Sequence, residues 1–217
     1  MYNTAIKILK RLNNLGYQAY IVGGFPRDLL LNIESNDIDI CTSATTDEIK
    51  KLFDVVQDNS RFGSLKIKQD NHIYEITTLR IDLEYNGRYP KISYTNSLKE
   101  DLKRRDFTIN TICIDKDKNI IDYLNGRNDI NKKIIKSVGN SDKKIKEDPI
   151  RILRAIRLSG KLNFDLEDNL KNSIIKYSYL LKDISKNNKK KEIDKMNEIS
   201  LKILKKLKIE EYIWKKK

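Results

Sequence analysis

The chain has 217 residues and carries 44 Lys and Arg against 31 Asp and Glu, a formal net charge of +13. That balance favours a polyanionic partner such as nucleic acid over a neutral metabolite, although a Lys-rich and Asn-rich coding bias would raise it too. Cys41 and Cys113 are too few and too far apart for a disulfide framework or zinc cluster. No apolar run is long enough to span a membrane and no cleavable leader is evident, so a cytoplasmic protein without a membrane partner is expected.

Taken in chain order, residues 4–14 place Ala5, Ile8, Leu9 and Leu12 on one helical face, with Gly16 closing the helix. AYIVGG reads as a buried strand ending in glycines, and FPRDLLL as a short helix with Pro26 in its first turn. DIDICTS reads as a second strand, and TTDEIKKLF as a helix capped near Thr45 or Thr46. SLKIKQDNHIYEITTL alternates like a hairpin around Asp70-Asn71, and ICIDKDKNIIDYL repeats the pattern around residues 116–119. From about Asp142 onward strands are expected to stop and helical periodicity takes over. The expectation is an α/β domain over residues 1–140 and a helical, increasingly lysine-rich part over 141–217.

Asp37 and Asp39 stand one residue apart in an apolar segment. Read as strand positions i and i+2, they share a face about 6.6 Å apart along the backbone. Like charges so placed repel unless a cation lies between them. Divalent metal serves, and a pair of Mg²⁺ ions roughly 3.5–4 Å apart drives phosphoryl and nucleotidyl transfer. An isolated D-x-D suits an exposed edge strand equally well. Here Ile38 and Ile40 are buried-type neighbours, and Gly23 and Gly24 upstream can bring backbone N–H groups close to a triphosphate. Glu75, in IYEITTL, holds a similar position on a third strand, where a solvent-facing Glu is equally compatible with the pattern.

In KRRDFTINTI, Arg104 and Arg105 offer guanidinium forks for phosphate, while Asp106 and Asn110 suit ribose hydroxyls. In KEDPIRILRAIR, Asp148 before Pro149 reads as an N-cap with proline at the first helical position. Glu147, Asp148 and Arg151 converge on that helix end. A carboxylate acceptor beside a guanidinium donor complements the amine-plus-ring-nitrogen edge shared by cytosine and adenine, and mismatches uracil and guanine. Arg154 and Arg157 continue the row at a spacing suited to phosphates.

With these motifs assembled, the chain resembles the class II tRNA nucleotidyltransferases, the CCA-adding enzymes, which share their head with bacterial poly(A) polymerases. VGGFPRDLLL…DIDICTSA is similar to the family's first motif. The resemblance puts the catalytic metals on Asp37 and Asp39, Glu75 beside them in catalysis, and nucleotide contacts on Gly23, Gly24 and Arg27. RRDFTIN resembles the ribose-recognising second motif, at Arg105, Asp106 and Asn110. DYLNGRND, with Asp122, Gly126 and Asp129, resembles the third, which couples head and neck. EDPIR resembles the fourth, the amino-acid template that pairs with the base, at Glu147, Asp148 and Arg151. Order and spacing agree over residues 18–165.

The resemblance implies an α/β head of the polymerase-beta-like nucleotidyltransferase type, with a small mixed or antiparallel sheet, followed by an all-α neck. It implies Mg²⁺ as cofactor, CTP and ATP as substrates and tRNA as partner, with CCA added to the tRNA 3′ end. Addition of only A, only CC or oligo(A) is the narrower alternative, and a weakly catalytic RNA-binding remnant the more distant one. Three departures stand out. Asn187 and Asn188 occupy places where an acidic–basic pair is expected, with Glu192 retained. GRYP keeps Arg88 but has Tyr89 where a second basic residue is expected. The sequence also does not extend into the body and tail domains that grip tRNA in the family. The lysines at 189–191 and the lysine-rich end are expected to hold RNA by counterion release instead.

Overall fold

A computed structural model describes residues 1–87 and 89–214, and the chain divides into two compact units. The first takes residues 1–84, 91–105 and 109–127; the second takes 85–90, 106–108 and 128 onward.

The first unit is built on a seven-stranded sheet. Helix α1 (Tyr2–Asn14) lies against it through Ala5, Ile8, Leu9 and Leu12, the residues that share a helical face, all buried. The strands are β1 (Ala19–Val22), β2 (Asp39–Thr42), β3 (Asp54–Asn59), β4 (Ser64–Gln69), β5 (His72–Thr78), β8 (Cys113–Ile114) and β9 (Ile120–Ile121). Their spatial order is β3-β4-β5-β2-β1-β8-β9, antiparallel throughout except for the parallel β2–β5 pair. Two further strands, β6 (Arg80–Asn86) and β7 (Tyr89–Tyr94), form a sheet of their own. The period of two divides the sheet's apolar residues between its faces. Ile21, Ile40, Leu65, Ile67, Tyr74 and Ile76 pack with α1 on one side. Val22, Cys41 and Cys113 pack on the other with Leu98 and Leu102 of α4 (Leu98–Arg104).

Local signals hold where side chains settle the geometry. Thr45 and Glu48 form a reciprocal capping box at the start of α3 (Thr46–Leu52). Asp70 and Asn71 take positive φ values of 48° and 60° at the β4–β5 turn, the backbone that a tight hairpin needs. Helix α2 (Gly24–Leu30) carries Pro26 in its first turn.

The expected strand DIDICTS is corrected: β2 begins at Asp39, and Asp37 lies in the exposed segment leading into it. β3, β6 and β7 were not evident from alternation. The apolar residues of β3 are only Val55 and Val56, and the strand is mostly exposed at the sheet edge.

In the second unit α5 (Gly126–Asn131), shared with the first, leads to β10 (Ile134–Ile135) and α6 (Ser141–Glu147). Helix α7 (Ile150–Leu162) buries Ile152, Leu153, Ala155 and Ile156 at its centre. The expectation that strands stop after Asp142 is corrected by β11 (Asp165–Leu166), which pairs in parallel with β10. Asn163, at φ 53°, ends α7 in the left-handed region and turns the chain back toward β10. Helices α8 (Asp168–Tyr177), α9 (Lys186–Ile193), α10 (Glu198–Lys206) and α11 (Glu211–Trp214) complete the unit. Asp142 ties α6 to α8 by accepting from the Ser173 hydroxyl, from Tyr177 Oη at 3.0 Å and from Lys176 Nζ at 3.2 Å. Among the described residues, no helix is long and apolar enough to cross a membrane.

Helices α7 and α10 cross at Gly160. A Cβ built there would fall on the Ser200 hydroxyl and backbone nitrogen, and 2.7 Å from the Ser200 Cα. Alanine is the better helix former by about 1 kcal/mol. Overpacking against backbone costs about 1–3 kcal/mol or more, because neither helix can yield locally. Gly160→Ala is therefore expected to lower the urea midpoint with little change in slope. A raised midpoint would show that helix propensity outweighs the crossing.

Candidate active site

The site is assembled where the start of β2 meets the middle of β5, two strands that are distant in sequence. Parallel pairing of β2 with β5 sets Asp39 directly beside Glu75, and β4 sets Lys66 beside Glu75 on its other side. Partners in register share a face, so these side chains form one row. Ser64 donates to Glu75 Oε1 at 2.7 Å and fixes that carboxylate. Val22 pairs with Asp39, so the chain leaving β1 must pass close to it at Gly23. Gly23 has φ 87°, and a Cβ there would lie 2.9 Å from Asp39 Oδ2. Backbone conformation and contact both require glycine.

A cavity of about 520 Å³ opens over this row, lined by Asp39, Glu75, Ser64, Arg80, Arg104 and Arg105 among others. Burial, and then repulsion from Asp37 and Glu75, push the Asp39 carboxyl up from 3.8 to about 7, against the pull of Arg105 and Lys66. Burial leads, and the positive side chains only partly offset it and the neighbouring carboxylates. Arg105 is itself held firmly charged: burial opposes its charge, but Asp101 together with Cys41 and Cys113 outweighs burial and raises its pKa above the ordinary value. Among the described residues, no group of three His, Cys, Asp or Glu side chains could hold a metal by itself. Oxygen donors with a charge deficit at Asp39 suit a hard divalent cation. Mg²⁺ commonly takes one or two protein carboxylates and completes its shell with water and phosphate oxygens.

Arg27 is buried. It donates through Nε at 2.8 Å and Nη2 at 2.5 Å to Asp28 Oδ1, and through Nη1 to Asn110 Oδ1 at 2.5 Å. A guanidinium only donates, so the Asn110 amide must present its oxygen to Arg27. Gly24 follows Gly23 at the start of α2, and a Cβ there would sit 3.3 Å from Arg27 Nη2.

The second unit gathers the remaining candidates. Helix α6 ends at Glu147 and α7 begins at Ile150, which puts Pro149 at the cap position, one residue later than expected. The Asp148 carboxylate still caps in substance, accepting from the Ile150 N–H at 3.2 Å. Arg151 donates to Glu147 Oε2 at 2.9 Å and to the Lys144 carbonyl at 2.8 Å. Arg154 pairs with Asp106 at 2.7 Å, so this aspartate is tied to α7. Arg157 does not extend a phosphate row as expected: its Nε donates to Glu192 Oε2 at 2.7 Å, bracing α7 against α9. Glu192, retained beyond Asn187 and Asn188, is thus a direct brace on α7. Lys189 is a second correction. It is 5% exposed and donates to the Leu181 carbonyl at 3.1 Å, leaving Lys190 and Lys191 exposed in that run. In the third motif Asp122 accepts from the Gly126 and Arg127 N–H groups, and Asp129 accepts from the Thr108 hydroxyl at 2.6 Å. Arg88 lies outside the described residues.

The sequence reading passed over Ser64, Lys66, Arg80 and Asp101. The first three depend on strand register. Asp101 had a usable signal, since it stands three and four residues before Arg104 and Arg105.

A mixed sheet that sets two carboxylates on adjacent strands beside a glycine turn defines a nucleotidyltransferase head. The chain belongs to the family of the poly(A) polymerase head domain, whose model matches residues 19–136. A CCA-adding enzyme from Lactobacillus johnsonii is 40% identical over 199 residues, covering 90% of this chain and 50% of that one. The crystal structure of the Bacillus stearothermophilus CCA-adding enzyme in complex with CTP superposes with a TM-score of 0.83 at 36% identity. It covers 89% of this chain and 48% of that one. A tRNA nucleotidyltransferase complexed with a primer tRNA and an incoming ATP analog superposes at 0.78 with 30% identity, covering 96% of this chain and 62% of that one. The chain spans about half the length of the curated relatives it matches.

Without a divalent cation, Asp39 binds its proton more tightly in the folded chain, near 7, than at its ordinary value of 3.8. Between those values the folded state holds more protons than the unfolded state, so stability falls as pH rises through this window. Asp39→Asn is expected to raise the melting temperature at pH 8 and to change it little at pH 4. Millimolar Mg²⁺ should then raise the melting temperature of the wild type more than that of the variant. Equal melting at pH 8 would remove the repulsion inferred at Asp39.

Proposed function

We propose that the chain is a nucleotidyltransferase head and neck that adds C, C and A to the 3′ end of tRNA, using CTP and ATP. The observation that carries this reading is the half-buried Asp39 beside Glu75, its carboxyl pushed toward the protonated form, under a cavity rimmed by arginines. Asp37 and Asp39 would hold Mg²⁺, which when bound lowers the charge barrier to attack at the α-phosphate and stabilises the leaving pyrophosphate. Glu75, fixed by Ser64, adds negative charge beside Asp39 that favours a bound cation, and would orient or deprotonate the primer hydroxyl. Gly23 allows the backbone to run close to the carboxylates, where N–H groups can meet phosphate. Arg105 bears on the nucleotide's ribose and phosphates, as does Asn110, whose amide is oriented by Arg27. Glu147, Asp148 and Arg151 read the base edge, with Arg151 steadied by Glu147.

The family likeness and the relatives crystallised with CTP, or with a primer tRNA and an ATP analog, support these substrates. The test is to incubate the chain with tRNA ending before CCA, supply CTP and ATP singly and together, and sequence the products. CCA is expected with both. Addition of A only, CC only or an oligo(A) run assigns the narrower activity, and no extension overturns the reading.

The Ile150 N–H gives a sharper test of the template. In Asp148→Asn the amide oxygen must stay toward Ile150 N–H to keep the cap, so the NH₂ replaces an acceptor with a donor. Asparagine caps about as well as aspartate, so the melting temperature should hold. The preference in kcat/KM for CTP over UTP should fall by about tenfold or more, since a buried mismatch no longer opposes the uracil carbonyl. Unchanged preference would leave Asp148 as a cap alone.

A further inference from the structure

Arg104 and Arg105 both rim the cavity, and a side chain outside the motif roles assigned above fixes each. Asp101, on α4, is fully buried at 0% exposure. Its Oδ1 accepts from Arg104 Nε at 2.8 Å and from the Arg80 backbone N–H at 3.1 Å. Its Oδ2 accepts from Arg105 Nε at 3.2 Å and Nη2 at 2.9 Å, a two-pronged contact. One carboxylate therefore ties two guanidinium groups and the start of β6 together, at the edge of the same cavity as Asp39 and Glu75. Nothing in that arrangement serves the hydrophobic core, where an apolar residue at 101 would be simpler.

We propose that Asp101 is a positioning residue: it holds Arg104 and Arg105 in a single orientation over the Asp39–Glu75 cavity, so that they meet a nucleoside triphosphate already aimed. This rests on the function proposed above. Free arginine side chains lose rotamer freedom when they grip an anion, and that loss weakens binding. A buried carboxylate that has already spent their freedom on the folded state removes it from the binding step. The charge state agrees: burial raises the Asp101 carboxyl, but the two arginines and the Arg80 N–H outweigh burial and keep it below its ordinary value. Asp101 makes its contacts through Nε and one Nη of Arg105, which leaves the fork's remaining edge directed away from it. It acts through the arginines and is not itself placed on the substrate.

The test is a double-mutant cycle on CTP binding by the full chain with Mg²⁺, measured by calorimetry, alongside thermal melts. Asp101→Asn is expected to raise the CTP dissociation constant by about tenfold, the scale of a charge-assisted contact. Arg105→Gln should do the same. The loss caused by Asp101→Asn should be smaller in the Arg105→Gln background than in the wild type, because the carboxylate acts partly through that arginine. If Asp101→Asn alone fails to fold, Asp101→Asn combined with Arg104→Gln removes one charge of each sign. It is then compared with Arg104→Gln, and the same tenfold loss is expected. Unchanged affinity, or losses that multiply in the double variant, would overturn the positioning role and leave the function intact. A wild-type chain that binds neither CTP nor ATP would overturn the function and this inference with it.

Discussion

Electrostatic repulsion between two carboxylates on neighbouring strands organises the first unit. Asp39 and Glu75 are placed side by side by backbone pairing, which leaves neither free to retreat. A sheet whose only task was stability would put opposite charges or apolar residues there. The surroundings relieve the repulsion without abolishing it. Lys66 and Arg105 draw Asp39 toward its charged form, Ser64 holds Glu75, and Gly23 clears space against Asp39 Oδ2. Stability is given up locally at this pair of carboxylates.

The arginines answer the same constraint from the other side. Arginines massed beside a carboxylate-lined cavity would repel one another and drift, so counter-charges accompany them. Asp28 accompanies Arg27 and Asp101 accompanies Arg104 and Arg105; in the second unit Asp106 accompanies Arg154 and Glu192 accompanies Arg157. The excess of basic residues in the sequence is therefore not simply a solvated face. Part of it is consumed internally, and Lys189 shows the same point with a buried ammonium capped by a carbonyl.

Much of this was legible before the structure. The D-x-D, the glycine pair and the alternating hairpin strands announced a head with carboxylates near a turn, because short-range patterns govern those features. Long-range register was not legible. Nothing around IYEITTL says that Glu75 will sit beside Asp39, since the contact depends on β5 inserting between β4 and β2. Helical spacing did not reveal the Glu192 partner of Arg157, and the lysine run did not reveal the burial of Lys189. Spacing gives the face a residue occupies, but not which helix will later cover that face. Asp37 was placed inside the strand because D-I-D-I alternates correctly; the backbone takes up strand pairing only at Asp39, the residue opposite Val22.

The parallel β2–β5 pairing has a kinetic side. Hairpins such as β4–β5 close over a few residues, whereas a parallel partner must be found across intervening chain, the slow and entropically costly kind of contact. Asp39 and Glu75 become neighbours only at that step. The anion-rich centre therefore depends on a long-range register, Asp39 against Glu75, and not on the local hairpins.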